Sequence, residues 1–265
     1  TSSFIGAVSL GNAVGVTTVS GFKNSINNAR SVPSQILNDT IIQNAYVFTN
    51  LLANGNLLYN RFQVSAYRLL KQSKRDIFSK WGQAIFMNIY GTPFGGDYSG
   101  GQFSIYGLAY FPGLFKHHSL WGYLGYQKSE ISMIELSANN KSVIENYNYL
   151  FRNQIPLPRG LGVSRFKDMY SMSINYTMPL LYPDISLGPI LNIQRIRING
   201  FIDYAYGSGT ANTSISKKYL SVGGELKFDI NVMRLLPQFD IGFRYSYGIT
   251  PTTSLLEVLI GTLNF

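Results

Sequence analysis

Cysteine is missing from all 265 residues, which excludes disulfide bonds, thiol nucleophiles and thiolate metal ligands. Charged residues are scarce at 13%, about half the share of an ordinary soluble protein. No apolar run approaches the roughly 18–20 residues of a transmembrane helix, so the sequence does not indicate a helical membrane protein. The hydrophobic residues must therefore act in shorter segments.

Aromatic residues and glycine are what the sequence has in quantity, with 19 Tyr, 17 Phe and 26 Gly. Many aromatics together with few charges suit a protein that has a polar interior and a lipid-facing exterior. The net charge of +9 raises the question of nucleic acid. The basic residues are scattered and do not form a stripe with interleaved aromatics, so no nucleic-acid partner is predicted.

Strict alternation of apolar and polar residues is clearest in three segments, Tyr170–Met178, Tyr219–Asn231 and Phe239–Ile249. This period of two predicts strands with one apolar and one polar face. Weaker patterns predict further strands near Phe4–Val16, Asp39–Leu52, Leu58–Leu70, Trp81–Thr92, Gln102–Phe111, Leu120–Ile131, Leu187–Tyr206 and Leu255–Phe265.

The length of these strands decides between two all-β architectures. About eleven strands of roughly 10–20 residues suit a membrane barrel, since strands of soluble sandwiches average nearer 5–6 residues. The connections alternate between short turns and longer polar loops, as in outer-membrane barrels. We therefore expect residues 1–265 to form a single all-β domain, a transmembrane antiparallel β-barrel. Residues 132–166 are its longest external loop.

The end of the chain, "LLEVLIGTLNF", is apolar and finishes on an aromatic residue. Its Gly261, Leu263 and Phe265 resemble the terminal signal that the outer-membrane assembly machinery reads. This resemblance implies an integral protein of the bacterial outer membrane, with that machinery, outer-membrane lipids and lipopolysaccharide as partners.

A second motif, "LPRGLG" at Leu157–Gly162, is similar to the Arg-Gly-aromatic motif in the sixth external loop of the BamA-type assembly and translocation superfamily. Leu161 stands here where the family has the aromatic. The segments Ser73–Gln83 and Tyr110–Leu120 look like the variant with a TolB-like periplasmic propeller. The resemblance implies a 16-stranded barrel, of which this chain would be the C-terminal part with 11–12 strands. It would lack the first strands and the periplasmic domain.

The resemblance also implies a site. The family's long loop folds into the lumen, where its arginine pairs with carboxylates, and Arg159 and Gly160 match that motif. Alternation independently places Asp203 and Glu225 on polar strand faces. The alternative is that Arg159 is a solvated residue of a turn-prone stretch.

The sequence shows no recognisable catalytic motif, and neither a cofactor nor a metal is expected. His117 and His118 are adjacent, so in a strand they would face opposite ways. The expected function is insertion or translocation of protein or lipid at the outer membrane, without catalysis, and with periplasmic or lipoprotein subunits as further partners. The alternatives are a passive porin-like channel and a structural outer-membrane subunit of a larger complex.

Overall fold

The structure, a computed structural model, describes residues 3–19, 29–32, 36–37, 40–41, 45–48, 55–73, 75–96, 98–130, 133–138, 141–144, 151–163, 165–188, 191–209, 215–232 and 239–262. The described residues contain no helix that is long and apolar enough to cross a membrane. Their regular elements are all strands: β1 (Phe4–Val19), β2 (Ala29–Val32), β3 (Ile36–Leu37), β4 (Thr40–Ile41), β5 (Ala45–Phe48), β6 (Gly55–Leu70), β7 (Gly82–Gly91), β8 (Tyr98–Ser99), β9 (Gln102–Pro112), β10 (Ser119–Ser129), β11 (Met133–Ala138), β12 (Lys141–Ile144), β13 (Asp168–Leu181), β14 (Ile185–Leu187), β15 (Leu191–Ser208), β16 (Ser216–Val232), β17 (Phe239–Thr250) and β18 (Thr252–Thr262).

One antiparallel sheet of 11 strands dominates the molecule. Its strands follow the order β1-β6-β7-β9-β10-β13-β15-β16-β17-β18, and β14 pairs with β15 beside this path. Nearly every strand therefore pairs with the next long strand along the chain. The prediction of an all-β chain with long antiparallel strands is confirmed. Among the described residues no pairing joins β1 to β18, so closure of the sheet into a barrel stays a proposal.

The prediction that Asp39–Leu52 forms a strand of this sheet is wrong. Its described parts, β4 and β5, belong to two small sheets, where they pair with β3 and β2. The reason is that β1 and β6 pair with each other along their whole length, from Phe4 opposite Leu70 to Val19 opposite Gly55. No edge between them is left for another strand.

The sheet buries its polar face and exposes its apolar one. On β13 the side chains of Ser171, Ser173, Asn175 and Thr177 are buried, while Ile174 between them is 54% exposed. The strands β15, β16 and β17 continue the same two faces, because side chains alternate along each strand and the strands pair in register. We call these the polar face and the apolar face. A soluble sheet has the opposite arrangement.

The described part of the long loop, residues 151–163 and 165–166, lies against the polar face. Its Ile155 and Phe166 form a small buried cluster with Met169, Ala205 and Tyr219. Phe166 packs so closely on Gly207 that a Cβ atom there would lie 2.1 Å from its ring. This cluster fixes the segment across β13, β15 and β16.

Candidate functional site: an arginine on the polar face of the sheet

Arg159 and its neighbour Gly160 form a turn in the segment that crosses the polar face. Gly160 has a φ of 74°, a left-handed conformation that favours glycine. A Cβ atom at this position would lie 2.3 Å from the Cβ atom of Ser246 on β17. The turn can approach the sheet this closely because residue 160 has no side chain. That approach brings the guanidinium of Arg159 down onto the strands.

Asp203 on β15 is the main partner of Arg159. The guanidinium donates from Nε to Oδ2 and from Nη2 to Oδ1, each at 2.7 Å, which is the bidentate geometry of a strong ion pair. The backbone N–H of Arg159 donates to the same Oδ2 at 2.9 Å. Asp203 is 0% exposed. The carboxylate therefore holds both the side chain and the backbone of the turn.

Four further strand residues complete the surroundings of the guanidinium. Nη1 donates to Glu225 Oε1 on β16 at 3.2 Å. Nη2 also donates to two neutral acceptors on β13, Ser173 Oγ at 3.0 Å and Asn175 Oδ1 at 2.7 Å. The ring of Phe201 lies below, with Cζ of the arginine 3.6 Å from its centroid, a cation–π contact. One loop residue thus binds three neighbouring strands.

The ion pairs continue from this point along the polar face. Arg244 donates to Glu225 Oε1 at 2.7 Å and to Glu257 at 3.4 Å. Asp240 accepts from Arg197 at 2.8 Å and lies 3.1 Å from the amine of Lys227. We call the whole set the charge ladder: Arg159, Arg195, Arg197, Lys227 and Arg244 with Asp203, Glu225, Asp229, Asp240 and Glu257. Its five cations and five carboxylates balance, as burial of charge requires.

The far end of the ladder contacts a short turn at the opposite end of the strands. Arg195 bonds Asp229 at 2.6 Å and donates to the backbone carbonyl of Asp76 at 3.2 Å. The Asp76 carboxylate lies 2.8 Å from Nδ1 of His117. Burial alone would raise the pKa of Asp76, but hydrogen bonds from His117 and Ser73 outweigh burial and lower it below its ordinary value.

The structure brings together four of the residues singled out in the sequence, Arg159, Gly160, Asp203 and Glu225. Gly261 lies elsewhere, on β18 opposite Asp240, where a Cβ atom would be 2.5 Å from that carboxylate. Leu263 and Phe265 lie outside the described residues.

Sequence reasoning missed most of the charge ladder and the aromatic ring beneath the arginine. The signal for part of it was legible in "RIRINGFID", in which Arg195, Arg197, Asn199 and Asp203 share one side of β15 by alternation. The contacts of Arg244 and Lys227 depend on which strands are neighbours, and the sequence does not carry that directly.

Chemically, the site is an ionic clamp. It fixes a loop to the sheet through contacts that are strong only while the face is shielded from water. Comparison with known proteins adds no family to this geometry: no protein-family model, no curated protein and no solved structure matches the chain.

Proposed function

We propose that this chain forms a membrane-spanning antiparallel β-barrel of the bacterial outer membrane, with residues 151–163 inside its lumen. The observation that carries the proposal is the polarity of the sheet. Its apolar face is exposed while its polar face is buried. In water such an apolar face would be an aggregation hazard, whereas a bilayer covers it.

Aromatic residues at both ends of the apolar face support the same proposal. On β9, Phe103 lies near the long-loop end and Phe111 near the short-turn end. They are eight positions apart, which is about 27 Å along the strand, or about 20 Å across a bilayer at a tilt of about 40°. Each has an aromatic neighbour. The ring centroids of Phe103 and Tyr126 are 6.5 Å apart, and those of Phe111 and Trp81 are 5.7 Å apart. Membrane barrels have two such girdles around an apolar band about 25 Å tall.

The function that the site supports best is that of the BamA-type superfamily, insertion or translocation of protein or lipid at the outer membrane. In favour of it, the Arg-Gly turn of this chain meets carboxylates on β15 and β16, as the motif implies. Lipids, lipopolysaccharide, the outer-membrane assembly machinery and periplasmic or lipoprotein subunits are the partners that this function would require.

A reconstitution experiment tests the proposal against a passive porin-like channel. The protein is placed in phospholipid vesicles, and the insertion rate of an unfolded eight-stranded outer-membrane barrel protein is measured by its heat-modifiable mobility. We expect faster insertion with the wild-type protein and a loss of that gain with Arg159→Ala. Arg152→Ala is the matched control, because it removes an exposed arginine from the same segment.

Planar-bilayer conductance of the same samples supplies the opposing result. With the loop docked, the wild-type protein should conduct little, and Arg159→Ala should conduct more. A steadily open wild-type channel, together with no acceleration of insertion, would reject the assembly function in favour of the porin.

A further inference from the structure

A groove opens on the apolar face near the long loops, and nothing in the charge ladder uses it. Its floor follows one cross-strand row, in which Phe62 on β6, Ile89 on β7, Phe103 on β9 and Lys128 on β10 lie side by side. The cavity has a volume of about 690 Å³. That lies within the about 300–1,000 Å³ of typical small-molecule sites.

Glycine leaves the space in this groove. Gly91 is the next residue of β7 on the same face as Ile89, and a Cβ atom there would touch nothing closer than Pro93 at 4.0 Å. The wall above is fixed, because the N–H of Gly100 donates to Thr92 Oγ1 at 3.0 Å. The N–H of Glu130 donates to the carbonyl of Gly101 at 2.8 Å. The groove is therefore part of the folded sheet and its adjoining loop.

Two opposite charges, Lys128 and Glu130, stand at the mouth of the groove. Within the part of the chain that the structure describes, neither side chain takes part in an ion pair, either with the other or with a third residue. An unpaired cation and an unpaired anion beside an apolar cleft match a ligand that has a hydrocarbon chain and carries one negative and one positive charge.

We propose that this groove binds one glycerophospholipid with a zwitterionic phosphoethanolamine head group. An acyl chain lies along Phe62, Ile89 and Phe103, the phosphate faces Lys128, and the ammonium faces Glu130. The inference rests on the proposed membrane location, since only there does the apolar face meet lipid. It adds a specific lipid site to a surface that would otherwise have only general contact with the bilayer.

Native mass spectrometry of the full chain in a non-ionic detergent tests the site, with phosphatidylethanolamine, phosphatidylglycerol and lipid A as probes. We expect one retained phosphatidylethanolamine per chain. Gly91→Leu should weaken that binding about tenfold, because the new side chain fills the groove. Gly107→Leu is the matched control. This change also adds a leucine to the apolar face, but on β9, where the neighbouring residues are Ile85 on β7 and Leu124 on β10. That position lies away from the groove.

Charge variants then identify the head group. Glu130→Gln should remove the preference for phosphatidylethanolamine over phosphatidylglycerol, and Lys128→Gln should weaken both. Equal binding of phosphatidylethanolamine by Gly91→Leu and the wild-type protein would overturn the assignment of the groove as the lipid site. A wild-type preference for lipid A that Gly91→Leu abolishes would overturn the zwitterionic ligand.

Insertion into vesicles is scored separately, by heat-modifiable mobility and protection from protease. Failure of the wild-type protein to insert would reject the proposed function. Insertion without retained phosphatidylethanolamine would reject only the lipid site. All variants should keep the heat-modifiable form, which shows that the sheet has folded.

Discussion

Replacement of Arg159 by alanine is the sharpest test of the clamp. The change removes a guanidinium that contacts four acceptor residues. It leaves the fully buried carboxylate of Asp203 with two neutral donors, the backbone N–H of residue 159 and the hydroxyl of Ser173. Breaking a buried ion pair by removing one partner costs about 3–5 kcal/mol. We expect the free energy of unfolding to fall by about that amount.

A double-mutant cycle separates this pair from the rest of the ladder. Asp203→Asn should couple to Arg159→Ala by about 2–3 kcal/mol, since the contact is bidentate and dry. Glu225→Gln should couple by only about 1 kcal/mol, because its carboxylate is farther from Arg159 and keeps Arg244 as a partner. Arg152→Ala should change the stability by less than about 0.5 kcal/mol.

Denaturant titration in detergent micelles provides the measurement, and fluorescence of the two tryptophans reports unfolding. Trp121 is well placed for this, since its indole N–H donates to Thr177 Oγ1 on the neighbouring strand at 3.3 Å. Coupling below about 0.5 kcal/mol for both pairs would refute the clamp and make Arg159 an ordinary loop residue.

Three other changes test separate parts of the structure. Gly160→Ala should destabilise the protein by about 1–3 kcal/mol in the same titration, because residue 160 has a left-handed backbone conformation and lies close to the sheet. Gly162→Ala is the control and should be near neutral, because no atom lies within 4 Å of its Cβ position. Equal effects of the two substitutions would contradict this prediction. The pKa of Asp76 is lowered in the folded protein, so the stabilisation from its hydrogen bonds with His117 and Ser73 is present above the ordinary aspartate pKa of about 3.9. It is lost as the pH falls through the folded-state pKa. Asp76→Asn should flatten the stability–pH curve there, and an unchanged slope would argue against the contact. If the C-terminal residues are an assembly signal, deletion of Phe265 should lower the yield of the heat-modifiable form in membranes, and an unaltered yield would contradict that interpretation.

The sequence by itself determined which way most side chains of the long strands point. Alternation is a local property, since successive residues of a strand face opposite sides whatever the strand pairs with. Most of the polar positions in "YLSVGGELKFDIN" and "FDIGFRYSYGI" are therefore buried in the structure, among them Glu225 and Asp240. Strand existence and the all-β class followed from the same periodicity.

Tertiary structure decided what meets across the strands. Glu225 faces Arg244 because β16 and β17 pair in one register, and a slip of one residue would turn the side chains of a strand to the opposite face. The pairing of β1 with β6 across the segment at Asp39–Leu52 is equally non-local. Neither can be read from a pattern within one strand.

The clamp and the groove both depend on tertiary structure, although the sequence marks part of the clamp and nothing of the groove. The Arg-Gly motif marked Arg159 in the sequence, but its bidentate bond to Asp203 and its contact with Phe201 needed the loop to lie on β15. The row from Phe62 to Lys128 takes one residue from each of four strands, and no motif joins them. Local periodicity determines the faces of a sheet, whereas the contacts on those faces arise only when residues far apart in the chain are brought into register.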